Sequence, residues 1–240
     1  PSLSLSLSLS LFPLWQIPGS AVVYVIGTYN DMDSGTRERV KNLFSKGIAV
    51  AASVSDAVIM DGGLSSNISS AETTAAVRPL SSVLGVSRCE GMYGIDPTLS
   101  NFHHHHVVVR CSDKLVWKAR LKMIHSIRGP GKAVPPVLII LAGKEDGCEE
   151  MLKVAADKNW GIIVIPGTGG QADELCAVLA NVQTGSKAMQ HVAKFGNASV
   201  LPETCEAKDL RTLCRVHLML SGLAKMWTGD ESDEDDEEED

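Results

Sequence analysis

Residues 161–175, Gly-Ile-Ile-Val-Ile-Pro-Gly-Thr-Gly-Gly-Gln-Ala-Asp-Glu-Leu, constrain the fold more than any other stretch of the chain. Ile162 to Ile165 are four consecutive β-branched residues, the pattern of a short strand buried on both faces in a parallel sheet. Pro166 lacks a backbone N–H and stops that strand. Gly167, Gly169 and Gly170 permit positive φ and a close approach of backbone to a ligand. Ala172, Leu175, Cys176 and Leu179 then recur at helical spacing. A strand, a glycine turn and a helix start in one run leave free N–H groups at a sheet edge, where an anion such as a phosphate is favoured.

Composition narrows what surrounds this stretch. With 240 residues and 44% hydrophobic content the chain can bury one good core, and at 5% aromatic that core is aliphatic. The net charge of −7 misleads, because ten of the 29 acidic residues fall between Asp230 and Asp240. Without them 22 basic residues face 19 acidic ones, a nearly neutral body of about +3. No Lys/Arg stripe with interleaved aromatics occurs, so nucleic acid is not an expected partner. Cys89, Cys111, Cys148, Cys176, Cys205 and Cys214 show no C-x-x-C spacing and read as reduced core residues. No apolar run approaches the length of a membrane-spanning helix, so membrane insertion is not expected and a cytoplasmic setting is.

Taken in order, the chain opens without Met on strictly alternating Ser and Leu through Leu11, which reads as low-complexity sequence occupying residues 1–18. The folded domain is expected over residues 19–228. Its first strand is Ala21 to Ile26, ending at Gly27 and Thr28. Val40, Leu43, Phe44, Gly47, Ile48 and Ala51 then predict one long helix capped by Asp33 or Ser34, with Gly47 allowing close helix-to-sheet approach. Ala57 to Met60 is the next strand, ending in Asp61-Gly62-Gly63. From Leu64 the pattern loosens into a short helix through Ala76, a strand at Val83 to Val86 and a loop from Cys89 to Phe102. His104 to Arg110 reads as a strand, Leu115 to Ile127 as a helix, and Val137 to Leu141 as a strand ending at Ala142-Gly143. A helix with Cys148, Met151, Leu152 and Ala155 on one stripe precedes the 161–175 stretch, and helices near Ser186–Lys194 and Glu203–Met226 follow it. Residues 229–240 form an acidic tail with no reason to fold, a solubilising end or a site for a basic partner.

Strands alternating with helices predict an α/β fold, a doubly wound, mostly parallel sheet with helices on both faces. Such sheets bind ligands at the carboxyl ends of their strands. Four of those ends carry small residues: Gly27-Thr28, Asp61-Gly62-Gly63, Ala142-Gly143 and Gly167-Thr168-Gly169-Gly170. One glycine after a strand is usually a turn, but four along one edge make a glycine-lined crevice.

The runs Asp56-Ala-Val-Ile-Met-Asp-Gly-Gly63, Leu84-Gly-Val-Ser87, Ile95-Asp96-Pro97 through His105, Pro136-Val-Leu-Ile-Ile-Leu-Ala-Gly143 and Ile165-Pro-Gly-Thr-Gly-Gly-Gln-Ala-Asp-Glu-Leu175 together resemble the SLOG domain. The branch they resemble stands at the N-terminus of melastatin-type TRP cation channels and in free-standing proteins. The resemblance spans Ala21 to Leu179. It implies a Rossmann-like domain that senses nucleotide-related ligands. A sister branch consists of phosphoribohydrolases with a Pro-Gly-Gly-x-Gly-Thr-x-x-Glu signature. This chain keeps Pro166, Gly167, Gly170 and Glu174 of it, and has Thr168 and Gln171 where the signature has Gly and Thr. Met151 stands where those enzymes carry an arginine, removing a cation expected to act on the phosphate or departing sugar. After Gly63, relatives continue with Thr and a Gly-Val pair; here Ser65, Ser66 and Asn67 remain as phosphate donors.

The reading that follows is a binding module for a nucleotide-derived small molecule. Its candidate ligand-binding residues are Gly27, Thr28, Asp61, Gly62, Gly63, Ser65, Gly143, Gly167, Thr168, Gly169 and Gly170. Asp61 is either a ribose acceptor or a turn cap, and Asp173 a first-turn helix residue. Two rivals stand beside this reading. One is an N-glycosidic hydrolase using Glu174, which otherwise is a carboxylate favoured by the helix dipole. The other is a scaffold that has lost its ligand. His103 to His106 could suggest a metal, but strand neighbours face opposite sides and no matching Cys or acidic cluster accompanies them. No metal and no cofactor is expected, and a homo-oligomer is left open.

Overall fold

The computed structural model describes residues 20–62, 83–88, 105–109, 115–127 and 135–228. They build a seven-stranded sheet in the order β4-β3-β2-β1-β5-β6-β7. The strands are β1 (Ala21–Ile26), β2 (Ala57–Asp61), β3 (Val83–Arg88), β4 (His105–Val109), β5 (Val137–Leu141), β6 (Gly161–Val164) and β7 (Asn197–Val200). Every neighbouring pair is parallel, with Val22 opposite both Val58 and Val137 at the centre. β1, β2, β5 and β6 are buried along their whole lengths, as continuous apolar runs must be when helices cover both faces.

Those helices are α1 (Ser34–Leu43), a π-helical turn (Phe44–Ile48), α2 (Ala49–Val54), α3 (Val116–Ser126), α4 (Cys148–Asp157), α5 (Gly170–Leu179), α6 (Lys187–Phe195) and α7 (Ala207–Thr228). Alternation along each strand divides the core in two. Tyr24, Met60, Ile139 and Ile162 pack with α3 to α6, whereas Val23, Ile59, Ile140 and Ile163 pack with α1, the π turn, α2 and α7. The doubly wound α/β fold expected from the sequence is therefore the fold present. None of the helices among the described residues is long and apolar enough to cross a membrane.

Asp33 is the cap of α1: its carboxylate accepts from Gly35 N at 2.8 Å and Thr36 N at 3.0 Å. The hydrogen bond from the Thr36 amide, then that from its hydroxyl, holds the Asp33 pKa below the usual carboxylate value. The single long helix expected from Val40 to Ala51 is interrupted by the π turn, which inserts extra backbone between two α-helical halves. Gly47 lies within that turn, and a Cβ there would come within 3.0 Å of the Ala207 carbonyl. Its missing side chain therefore admits α7, not the sheet. β7 was not expected from Asn-Ala-Ser-Val, which is short, polar and half-exposed at the edge of the sheet. The short helix through Ala76, the loop Cys89–Phe102, His103 and His104 lie outside the described residues; His105 and His106 open β4 opposite Leu84 and Gly85.

Gly161 begins β6 under the ring of His217, which is 7% exposed; a Cβ at Gly161 would sit 2.6 Å from His217 Nδ1 and 3.2 Å from Leu138 Cδ1. Gly161→Ala is expected to destabilise the domain by about 1–3 kcal/mol through this overlap, measured by urea unfolding. Burial also pushes the His217 imidazole below its ordinary pKa. The unfolded chain then takes up a proton before the folded one. Stability is lost as pH falls below about 6.5 towards the depressed folded value, and His217→Gln should flatten that part of the melting-temperature profile.

Candidate functional site

In the strand order, β1 lies between β2 and β5: the chain winds outward from β1 to β4, then crosses back to β5 and winds the other way. The carboxyl ends of β1 and β5 stand at this reversal, the place where open α/β sheets take ligands. Gly27 and Thr28 leave β1, and Ala142 and Gly143 leave β5. Gly143 has φ of +80°, and a Cβ there would lie 3.1 Å from the Thr28 carbonyl and 3.5 Å from that of Thr168. Three of the expected turns thus meet around one glycine.

The turn after β6 is fastened to the same place. Thr168, 2% exposed, accepts from Gly143 N at 2.8 Å and donates its hydroxyl to Ile165 O at 2.7 Å. Ala172 N donates to Gly143 O at 3.1 Å, and Glu145 N donates to Gln171 Oε1 at 3.2 Å. Gly167, Gly169 and Gly170 all adopt the positive φ anticipated for them. At Gly170 a Cβ would fall 2.6 Å from Lys144 Cβ, whereas at Gly169 it would meet nothing within 4 Å. Lys144 itself pairs with Asp31 at 2.7 Å on the exposed rim.

The turn amides, expected to be open, are partly taken. Gly167 N and Gly169 N donate to the two carboxylate oxygens of Asp173, at 2.7 and 3.0 Å. A first-turn helix residue thereby becomes an internal anion on its own glycine turn. Glu174 turns elsewhere: its Oε1 accepts from Ser186 N at 3.1 Å, at the start of α6. Met151 is fully buried on α4.

Asp61 and Gly62, both buried, end β2. Gly63 and Ser65 lie outside the described residues. Beneath these ends runs a charged network that the sequence reading missed. Arg120 Nη1 contacts Glu145 Oε1 at 2.6 Å, with both side chains more than nine-tenths buried. Glu145 Oε2 accepts from Gly27 N at 3.0 Å, while Arg120 Nε donates to Val86 O at 3.2 Å and Nη1 to Tyr24 OH at 3.4 Å. Burial pushes Glu145 above the usual carboxylate value, against the pull of Arg120 and the Gly27 amide. Arg120 keeps its charge because Glu145 and Tyr24 outweigh the cost of burial. A signal was present: Arg120 interrupts the apolar stripe Val116, Met123, Ile124 and Ile127, and a charge in such a stripe must find a buried partner.

The buried cysteines among the described residues offer no ready thiolate. Burial pushes Cys176 up to about 11, Cys214 up to about 12 and Cys148 well above its ordinary value, so these remain thiols at neutral pH.

Comparison with known proteins decides the family. A family model described as "SLOG in TRPM, prokaryote" matches residues 20–210. The chain belongs to the SLOG family. This SLOG domain is also similar to the X-ray structure of TM1055, a structural genomics target, at 16% identity over 65% of this chain and 79% of that one, with a TM-score of 0.46. No curated protein matches it.

Replacing one partner of the buried pair leaves the other charge without compensation. Arg120→Met alone is expected to cost about 3–5 kcal/mol of stability, whereas Arg120→Met with Glu145→Met recovers most of that loss. A double-mutant cycle in urea measures both values.

Proposed function

We propose that this SLOG domain binds a nucleotide-related small molecule across the reversal between β1 and β5. Gly27, Thr28, Asp61, Gly62 and Gly143 form one wall of the site, and Thr168 with the glycines at 167, 169 and 170 forms the phosphate side. The observation that carries this reading is the meeting of Thr28, Gly143 and Thr168 around one glycine at the point where the strand order reverses. Family membership supports it. Four free cysteines, Cys148, Cys176, Cys205 and Cys214, support a reducing, cytoplasmic setting. The folded unit we propose spans residues 19–228, with the acidic segment 229–240 available to a basic partner.

We favour binding over hydrolysis. Glu174 spends one carboxylate oxygen on Ser186 N, and the buried Met151 supplies no cation to a leaving group. Thermal-shift measurements against nucleoside mono- and diphosphates and nucleotide sugars test the reading. A ligand at a hundred times its Kd adds about 2.7 kcal/mol, roughly 5–10 °C in a domain of this size. Gly169→Val, whose side chain would fill the open space at that turn, is expected to abolish the ligand-induced increment. Absence of any shift across the panel, with the unliganded domain folded, would overturn the proposal. In the same incubations no free base should be released from nucleoside monophosphates.

A further inference from the structure

One cation beside the glycine turn has unused donors. Arg39, on α1, donates from Nη1 to the Pro166 carbonyl at 3.1 Å, and the same nitrogen is 3.7 Å from where a Gly167 Cβ would stand. Its Nε and Nη2 are shielded from solvent and have no hydrogen-bond partner among the described residues. Other cations described at this edge are already engaged, Arg120 by Glu145, Lys144 by Asp31 and Arg37 by the Tyr29 carbonyl. A guanidinium with shielded, unused N–H groups is stabilised by any anion brought to it, most of all by a planar or tetrahedral oxyanion.

On the α5 side of the same turn sits an anion that belongs to the chain. The Asp173 carboxylate takes the amides of Gly167 and Gly169, yet makes no ion pair with Arg39. An oxyanion donated by the protein thus occupies the two amides, while Arg39, bonded to the Pro166 carbonyl of the same turn, has no ion pair among the described residues.

We propose that Asp173 is a built-in competitor for the phosphate subsite and Arg39 its counter-charge: a phosphate monoester or diphosphate binds by displacing the Asp173 carboxylate from the turn and is balanced by Arg39. This rests on the nucleotide-binding reading and adds to it the residues that set selectivity for phosphate. The open space at Gly169 gives the incoming group room and the carboxylate a way out. No bond is made or broken; two hydrogen-bond donors change acceptor.

Isothermal titration of the full chain with AMP, inorganic pyrophosphate and adenosine tests the exchange, with unliganded melting temperatures checking that each variant is folded. Asp173→Asn, which keeps one acceptor for the turn, is expected to tighten AMP and pyrophosphate about tenfold, and Arg39→Gln to weaken both at least about tenfold. Adenosine, lacking the anion, should be unchanged in both. Phosphate binding by Asp173→Asn with none by the native chain supports the same conclusion. If AMP binds but Asp173→Asn fails to tighten it, or Arg39→Gln leaves it unchanged, the exchange is overturned while nucleotide binding stands. If no protein, Asp173→Asn included, takes up any of the phosphates, both proposals fall.

Discussion

A guanidinium buried in the core at the middle of the sheet sets the terms for the carboxyl edge. Arg120 reaches from α3 to the Val86 carbonyl on β3, the Tyr24 hydroxyl on β1 and the Glu145 carboxylate after β5. Glu145 in turn holds Gly27 N at the end of β1. Strands of a parallel sheet are aligned by backbone bonds along their length, but where they end each chain is free to leave in its own direction. Here a chain of charge-assisted bonds, stronger in a low dielectric than in water, fixes those departures relative to one another. Burial makes such a network costly unless every member is matched, and that requirement makes the geometry specific.

Because β1 and β5 are tied at their ends, the turns that follow are held within contact distance. Gly143 can lie against both the Thr28 and Thr168 carbonyls only because it has no side chain and accepts a φ of +80°. Thr168 then links β6's turn to β5's by accepting one hydrogen bond and donating another. The edge is thus shaped by close backbone contacts, with the buried Met32 side chain also packed against Gly143. A phosphate-bearing ligand, as proposed, would be met there by backbone amides and hydroxyls.

Much of this was legible in the sequence because the signals are local. Ile162 to Ile165, Val137 to Leu141 and Ala21 to Ile26 are continuous apolar runs, and a run of that length buried on both faces has few alternatives to a central parallel strand. The glycines after β5 and β6 needed positive φ and have it. What escaped depends on partners distant along the chain. Arg120 and Glu145 are separated by a whole strand, and neither pattern nor spacing says that α3 and the loop after β5 share an edge. The π turn is a hydrogen-bond shift inside an unbroken helical pattern, so Val40 to Ala51 keep their spacing while the backbone changes. β7 offers only Asn-Ala-Ser-Val, whose pairing is imposed by the open edge of β6 and not by its own propensity. Asp173 reads as an ordinary first-turn acid, and its reach back to two glycine amides follows from the left-handed turn before it.

That reach has a bearing on how the glycine turn is held. Backbone N–H groups at a helix start have no partner within the helix and must be met by water, by a side chain or by a ligand. By lending its own carboxylate to Gly167 and Gly169, the chain keeps that corner self-sufficient. The glycine turn thus keeps its shape on hydrogen bonds that the chain itself supplies, and a side chain one helical turn away sets the direction of two of its amides.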